Sequence, residues 1–222
     1  MNKFSIIFED NHILVVVKPE NVPVQEDSSG DKDFLTLLKE DIKERFNKPG
    51  NVYLALLHRL DRPVGGIMLF AKTSKAASRL SEQFRKNTVH KRYKAVVHGK
   101  PQRGEIELED YLYKDRERNV VSVVSRDTIG AKIAKLTFHK EKTNHSLSLL
   151  TVTLVTGRSH QIRVQLANMD YQIVGDQKYG NMKEHGQQIA LWAYSLSFEH
   201  PTTHEQLSFT ANPPDFEPWS FF

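Results

Sequence analysis

The sequence predicts an α+β fold with a mixed, mostly antiparallel central sheet flanked by helices. Three observations lead there. Alternating apolar and polar runs come in pairs joined by short turn sequences, so hairpins outnumber strand–helix–strand units. Long strand-like stretches outnumber helical ones. Neither the glycine pattern of a dinucleotide-binding fold nor that of a phosphate-binding loop occurs. At 222 residues, the chain suits one domain over residues 1–222, or two tightly joined lobes.

The elements follow in order. Ser5–Phe8 and His12–Val17 read as strands joined by the turn Glu9-Asp10-Asn11. Asp31–Asn47 reads as an amphipathic helix, with Phe34, Leu38, Ile42 and Phe46 at four-residue spacing, an Asp as cap and Pro49-Gly50 as stop. Val52–Leu57 and Ile67–Ala71 are short apolar runs that predict buried strands, with residues 58–66 as the loop between them. A second helix is expected over Thr73–Asn87, with Ala76, Ala77, Leu80 and Phe84 facing inward. Tyr93–His98 reads as a strand ended by Gly99-Lys100-Pro101. Ala131–His139 and Ser146–Val155 predict a hairpin, Ser159–Met169 a third helix, and Ile189–Phe198 with Gln206–Thr210 a last hairpin.

Charge is unevenly spread. The net charge is +4, yet Lys72 to Arg103 holds ten basic residues against one acid, Glu82. Such a patch on a mildly acidic body fits a polyanionic partner, and equally a solvated helix face plus a charged strand edge. With no cysteine, the chain has no disulfide scaffold, Cys-ligated zinc site, iron–sulfur cluster or Cys nucleophile. That fits a reducing cytoplasm. No run approaches a membrane span, and the N-terminus lacks the pattern of a signal peptide. The histidines show no metal-ligand spacing, and no Ser sits in a Gly-x-Ser-x-Gly turn, so neither a metal nor a serine hydrolase is expected.

Three places could carry chemistry. Asp61 lies in His58-Arg59-Leu60-Asp61-Arg62-Pro63-Val64-Gly65-Gly66, between two apolar runs that would hold the loop on a rigid sheet. Arg59 and Arg62 beside it favour the carboxylate anion, which suits a nucleophile or an electrostatic stabiliser; a surface ion-pair turn is the plainer reading. In Thr156-Gly157-Arg158-Ser159-His160-Gln161-Ile162-Arg163, a strand ends, Gly157 allows a sharp turn and a helix starts. His160 and Arg163 then share a helix face near an anion-binding end, or the segment is an ordinary cap. Lys91-Arg92-Tyr93-Lys94 sets an aromatic among cations, suited to phosphate contact and base stacking, or to a plain strand.

Four blocks, in this order, resemble the RluA-type family of pseudouridine synthases. They are Val17-Lys18-Pro19; His58-Arg59-Leu60-Asp61-Arg62 with Gly65-Gly66; Lys91-x-Tyr93-x-Ala95-x-Val97-x-Gly99; and Thr156-Gly157-Arg158-x-His160-Gln161-Ile162-Arg163 followed by Gly175-Asp176-x-x-Tyr179-Gly180. The match runs from about Phe8 to Phe216. It implies an active-site cleft across the sheet and a cofactor-free, redox-neutral isomerisation of a specific uridine in ribosomal or transfer RNA. Asp61 is the implied nucleophile, Tyr93 the aromatic that packs on the target base, and Arg163 the partner of the catalytic carboxylate. Arg59 is the residue that fills the gap left by a flipped nucleotide. Arg62, Lys86, Lys91, Arg92, Arg158 and His160 complete the substrate-binding set. A monomer is expected, with RNA as its partner. Gln165 and Trp192 stand where many members have His, and no role is assigned to either. The chain begins almost at its first strand, which leaves no room for the small N-terminal RNA-binding domain of many relatives.

Two other functions share part of this pattern. A nucleoside or glycoside hydrolase would use Asp61 but needs a paired acid that no motif supplies. A non-catalytic RNA-binding protein or RNA chaperone would keep the basic patch but has no use for Asp61, Tyr93 and Arg163 together.

Overall fold

The computed structural model describes residues 3–27, 29–180, 184 and 186–222. Its elements are β1 (Ile6–Glu9), β2 (Ile13–Lys18), α1 (Phe34–Arg45), β3 (Ala55–Leu56), β4 (Gly65–Ala71), α2 (Ser74–Arg85), β5 (His90–His98), β6 (Glu105–Asp115), β7 (Val120–Val124), β8 (Lys132–Asn144), β9 (Leu147–Leu154), α3 (Gln161–Asn168), β10 (Leu191–Glu199) and β11 (Gln206–Thr210). A short 3-10 turn, Trp219–Phe221, follows. The chain divides into two units, Met1–His90 with Ala193–Asn212, and Lys91–Trp192 with Pro213–Phe222.

In the first unit, β2 and β4 pair antiparallel over their whole lengths, from Ile13↔Ala71 to Lys18↔Gly66. Every residue of β4 is buried. One face of this pair packs with Ala76 and Leu80 of α2 and with Leu196 and Phe198 of β10. On α1, Phe34, Leu38 and Ile42 are fully buried, with the Phe34 ring 6.1 Å from that of Phe70. Covering both faces explains why these strands read as continuous apolar runs rather than alternating ones.

Three expectations change here. Phe46 does not join the buried stripe of α1. The helix stops at Arg45, so Phe46 is 51% exposed and lies under the cationic heads of Arg45, Lys48 and Lys72. The α1 cap is Asp33, whose carboxylate accepts the Thr36 N–H at 3.0 Å. The strand expected over Val52–Leu57 shrinks to Ala55–Leu56, because β2 lines one edge of β4 and β10 shares the other.

The second unit is an antiparallel ladder in the order β5-β9-β8-β6-β7. The sequence predicts no strand where β6 and β7 lie. On β6, exposed Glu105, Glu107 and Glu109 alternate with Ile106 and Leu108, and glutamate carries little strand signal. β5 begins at His90, so Lys91 and Arg92 are strand residues paired with Leu154 and Thr153. α3 covers β6 and β7 through Val164, packed with Leu112, Val121 and Ala134.

Candidate active site

In the first unit, the loop of residues 58–66 is pinned at both ends. At its start, His58 Nε2 accepts the Leu69 N–H at 3.0 Å, and its ring stacks on Phe84 with centroids 5.1 Å apart. At its end, Gly66 has φ +120°, and a Cβ there would lie 2.3 Å from the Ala193 carbonyl oxygen, so only glycine lets β10 come this close. Between them Asp61 is half-buried, and its carbonyl oxygen accepts the Val64 N–H at 3.0 Å. Arg59 is exposed. Arg62 donates from Nη2 to Asp31 and from Nε to the Asn21 carbonyl at 3.2 Å, so its head is engaged within this unit.

Beneath the loop lies a residue of the Val17-Lys18-Pro19 block whose role the sequence does not show. Lys18, at the end of β2, is fully buried. Its ammonium donates to the carbonyl oxygens of Pro19 (2.7 Å), Val22 (2.9 Å) and Arg62 (3.1 Å). One donor therefore ties the residue after Asp61 to the strand end. Burial pushes the Lys18 pKa down to about 7, against the charges of Glu20 and Asp61, which favour its charged form. Burial likewise raises the Glu20 carboxyl, against the pull of Lys18. A lysine in an apolar strand was the available signal, since lysine is almost never fully buried without partners.

In the second unit, the pleat of β5 divides the basic motif. Lys91 and Tyr93 share one face, while Arg92 and Lys94 share the other. Tyr93 is buried. The Lys91 ammonium lies 3.4 Å from where a Gly157 Cβ would stand, and burial lowers its pKa. Lys94 pairs with Glu141 and reaches Thr151 Oγ1 at 2.9 Å. The run from Lys72 to Arg103 is thus no uniform cationic face. Lys72 is paired with Glu9 at 2.7 Å and Lys86 with Glu82 at 2.9 Å.

The turn of residues 156–163 also differs from expectation. Gly157 is not its left-handed residue; His160 is, with φ 51° as the cap of α3. His160 therefore caps the helix rather than lying within it, yet it and Arg163 both meet Tyr179, His160 Nδ1 at 2.7 Å from the hydroxyl and Arg163 Cζ at 5.2 Å from the ring. Gln161 organises the turn. Its Oε1 accepts from Thr156 Oγ1 (2.8 Å) and the Arg158 N–H (3.0 Å), and its Nε2 donates to the Lys135 carbonyl (3.1 Å). Arg158 donates from Nε to the Ile133 carbonyl at 2.9 Å. Arg163 is buried and makes a bidentate pair with Asp176, Nε to Oδ2 at 2.8 Å and Nη2 to Oδ1 at 2.7 Å. Burial pushes the Asp176 carboxyl up, but Arg163 and the N–H groups of Lys178 and Tyr179 hold it below the usual range. Gln165 is fully buried and donates to Asp110 Oδ2 at 2.7 Å, anchoring α3 to β6.

Among the described residues, no three His, Asp or Glu side chains gather as metal ligands, and no helix is long and apolar enough to cross a membrane.

Comparison with known proteins gives this geometry a context. Residues 12–168 match the family model described as RNA pseudouridylate synthase. The ribosomal large subunit pseudouridine synthase C of Buchnera aphidicola is 33% identical over 93% of this chain and 66% of its own length. An RNA pseudouridine synthase of Mycoplasma genitalium is 36% identical over 89% of this chain and 64% of its own. The chain thus spans just under two thirds of the length of these curated relatives. The solved structure of human RNA pseudouridylate synthase domain containing 4 shares the fold, with a TM-score of 0.82 at 23% identity over 97% of this chain and 91% of that one. The family model alone accounts for most of the chain, including the Asp61 loop, β5 and the turn into Arg163, and with it this chain belongs to the RNA pseudouridylate synthase family.

Proposed function

We propose that this protein is an isomerase that converts a specific uridine in structured RNA to pseudouridine, with Asp61 as its nucleophile. The observation that carries the proposal is the Asp61 loop itself. A half-buried carboxylate sits on a segment tied down by a fully buried lysine, next to the sequence of arginines that would meet RNA. The two units act together as one catalytic domain.

The reaction breaks the bond from the sugar to N1 of the base and forms one from the same sugar carbon to C5. The hydrogen on C5 leaves as a proton, and N1 gains one, so no oxidant or reductant is consumed. The uridine must first leave its stack, at a cost of a few kcal/mol. Arg59, exposed on the loop, fills the space it leaves. Arg92, exposed, and Lys86, at the end of α2, contact phosphates, and Arg62, Lys91, Arg158 and His160 complete the RNA-binding set. Tyr93 lies against the base. Arg163 supplies the cation of the catalytic machinery, its guanidinium held in place by Asp176. The protein works as a monomer in the cytoplasm, without cofactor or metal. Large-subunit ribosomal RNA is the first substrate to try, because the Buchnera relative carries that substrate in its name.

Asp61→Asn tests the assignment. The variant keeps the side chain's shape and loses its charge, so RNA binding persists while pseudouridine formation falls to background. Turnover near the wild-type rate would refute the role.

A further inference from the structure

One motif has no part in this chemistry: Gly175-Asp176-x-x-Tyr179-Gly180. It folds into a tight turn around the Asp176 carboxylate. Oδ1 accepts the Lys178 N–H at 2.9 Å and the Tyr179 N–H at 3.1 Å, and the Asp176 carbonyl accepts the Gly180 N–H at 2.9 Å. Both glycines are forced. A Cβ on Gly175 (φ +72°) would lie 2.2 Å from the Gln188 carbonyl oxygen, and one on Gly180 would lie 2.4 Å from that of Asp176.

What the turn grips is the α3 end. Asp176 takes the Nε/Nη2 edge of Arg163. A guanidinium has five N–H donors in a fixed plane, so this pairing decides that Nη1 and the second N–H of Nη2 point the other way. The Tyr179 ring lies 5.2 Å from Arg163 Cζ and covers one face of that plane. The Tyr179 hydroxyl accepts the Val121 N–H at 2.8 Å, which lets it donate to His160 Nδ1 at 2.7 Å. His160 is the left-handed residue of the turn, a conformation that a non-glycine side chain keeps only when its surroundings hold it.

We infer that Asp176 and Tyr179 are positioning residues for the proposed isomerisation. Asp176 fixes which edge of Arg163 is presented to the reacting groups, and Tyr179 holds His160 in its strained place. The inference rests on the proposed function, and through it on Arg163 and His160 being functional.

The test follows tritium release from C5-tritiated uridine in a large-subunit ribosomal RNA transcript under single turnover, with RNA affinity measured alongside. Asp176→Asn keeps the size of the side chain but weakens its grip on Arg163; the rate falls about 10²-fold with affinity unchanged, the scale expected for a misplaced reacting group. In an Arg163→Lys background, where the fork is already gone, Asp176→Asn costs less than about threefold more, the coupling expected of a residue acting through Arg163. Tyr179→Phe keeps the ring and loses the hydroxyl, a change small enough to leave the fold intact. Its rate falls about tenfold, the scale of one hydrogen bond, and the loss vanishes in a His160→Ala background. Wild-type rates in Asp176→Asn and Tyr179→Phe would overturn the inference and leave the proposed function standing. So would losses that simply add to those of Arg163→Lys and His160→Ala. A wild-type chain that releases no tritium from ribosomal or transfer RNA carrying C5-tritiated uridine would overturn the proposed function and the inference with it.

Discussion

The loop that carries Asp61 and the turn that leads into Arg163 are each built on a buried charge, held in two different ways. Under the loop, Lys18 gives its donors to three main-chain carbonyls, so the backbone is fixed while the Asp61 side chain stays half-exposed. In the turn, a buried carboxylate grips the guanidinium directly, so the side chain itself is fixed. The difference fits the division of labour proposed here. A nucleophile needs access and a firm base, whereas a charge partner needs a set direction. Variants of the first region should loosen a loop, and variants of the second should disorient one group.

The largest effect on stability belongs to the second region. Arg163→Met strands the buried Asp176 carboxylate and should cost about 3–5 kcal/mol in chemical denaturation. It should also abolish measurable isomerisation. Arg163→Lys keeps the charge, loses the fork and should recover much of the stability but little of the rate.

In the first region, the sharpest signature is the response to pH. The folded Lys18 titrates at about 7 and the unfolded one near 10.5. Between those values the unfolded chain holds a proton that the folded chain has lost, so this group makes stability rise with pH, by up to ~4 kcal/mol across the window. Lys18→Met should remove that rise. Denaturation midpoints from pH 7 to 10 that are the same for both chains would mean that Lys18 is not buried as described.

Asp176 gives the opposite case. Its folded pKa is lowered from 3.8, so its contribution is present above the unfolded value and is lost as pH falls through the folded one. Asp176→Asn should therefore make unfolding less sensitive to acid below about pH 4. Acid titrations that overlay would contradict the ion pair.

The smallest effects concern RNA contacts. Arg92→Gln should reduce the slope of log affinity against log salt by up to ~0.7 per lost single-strand phosphate contact, and Lys86→Gln by less, because Lys86 is paired with Glu82 at 2.9 Å. Lys94→Gln should change it less, because Lys94 is committed to Glu141 and Thr151. Equal slopes for Arg92→Gln and Lys94→Gln would erase the distinction drawn between two neighbours on one face of β5.

The sequence made legible what local pattern controls. The apolar runs of β2 and β4, the helix of Leu38 and Ile42, and the hairpin turns follow from periodicity and turn chemistry. The glutamate-rich β6 did not, because its strand is stabilised by ladder partners and not by its own propensity. At the site, Asp61, Tyr93 and Arg163 stood out through motif order. Lys18 and Asp176 stand within motifs, but their work is not legible there, because a carbonyl cage and a pair thirteen positions apart are tertiary facts. The strand pleat that sets Lys91 apart from Arg92 was likewise hidden while β5 was read as starting at Tyr93.

The most direct measurement of the central claim needs no variant. The purified chain is incubated with ribosomal and transfer RNA transcripts carrying C5-tritiated uridine, and released tritium, pseudouridine and free uracil are counted together. The expected result is tritium release equal, mole for mole, to new pseudouridine at a discrete site, with no free uracil. Free uracil would identify a glycosidic hydrolase, and bound RNA with no tritium released would identify a non-catalytic binder; either would contradict the assignment of an isomerase.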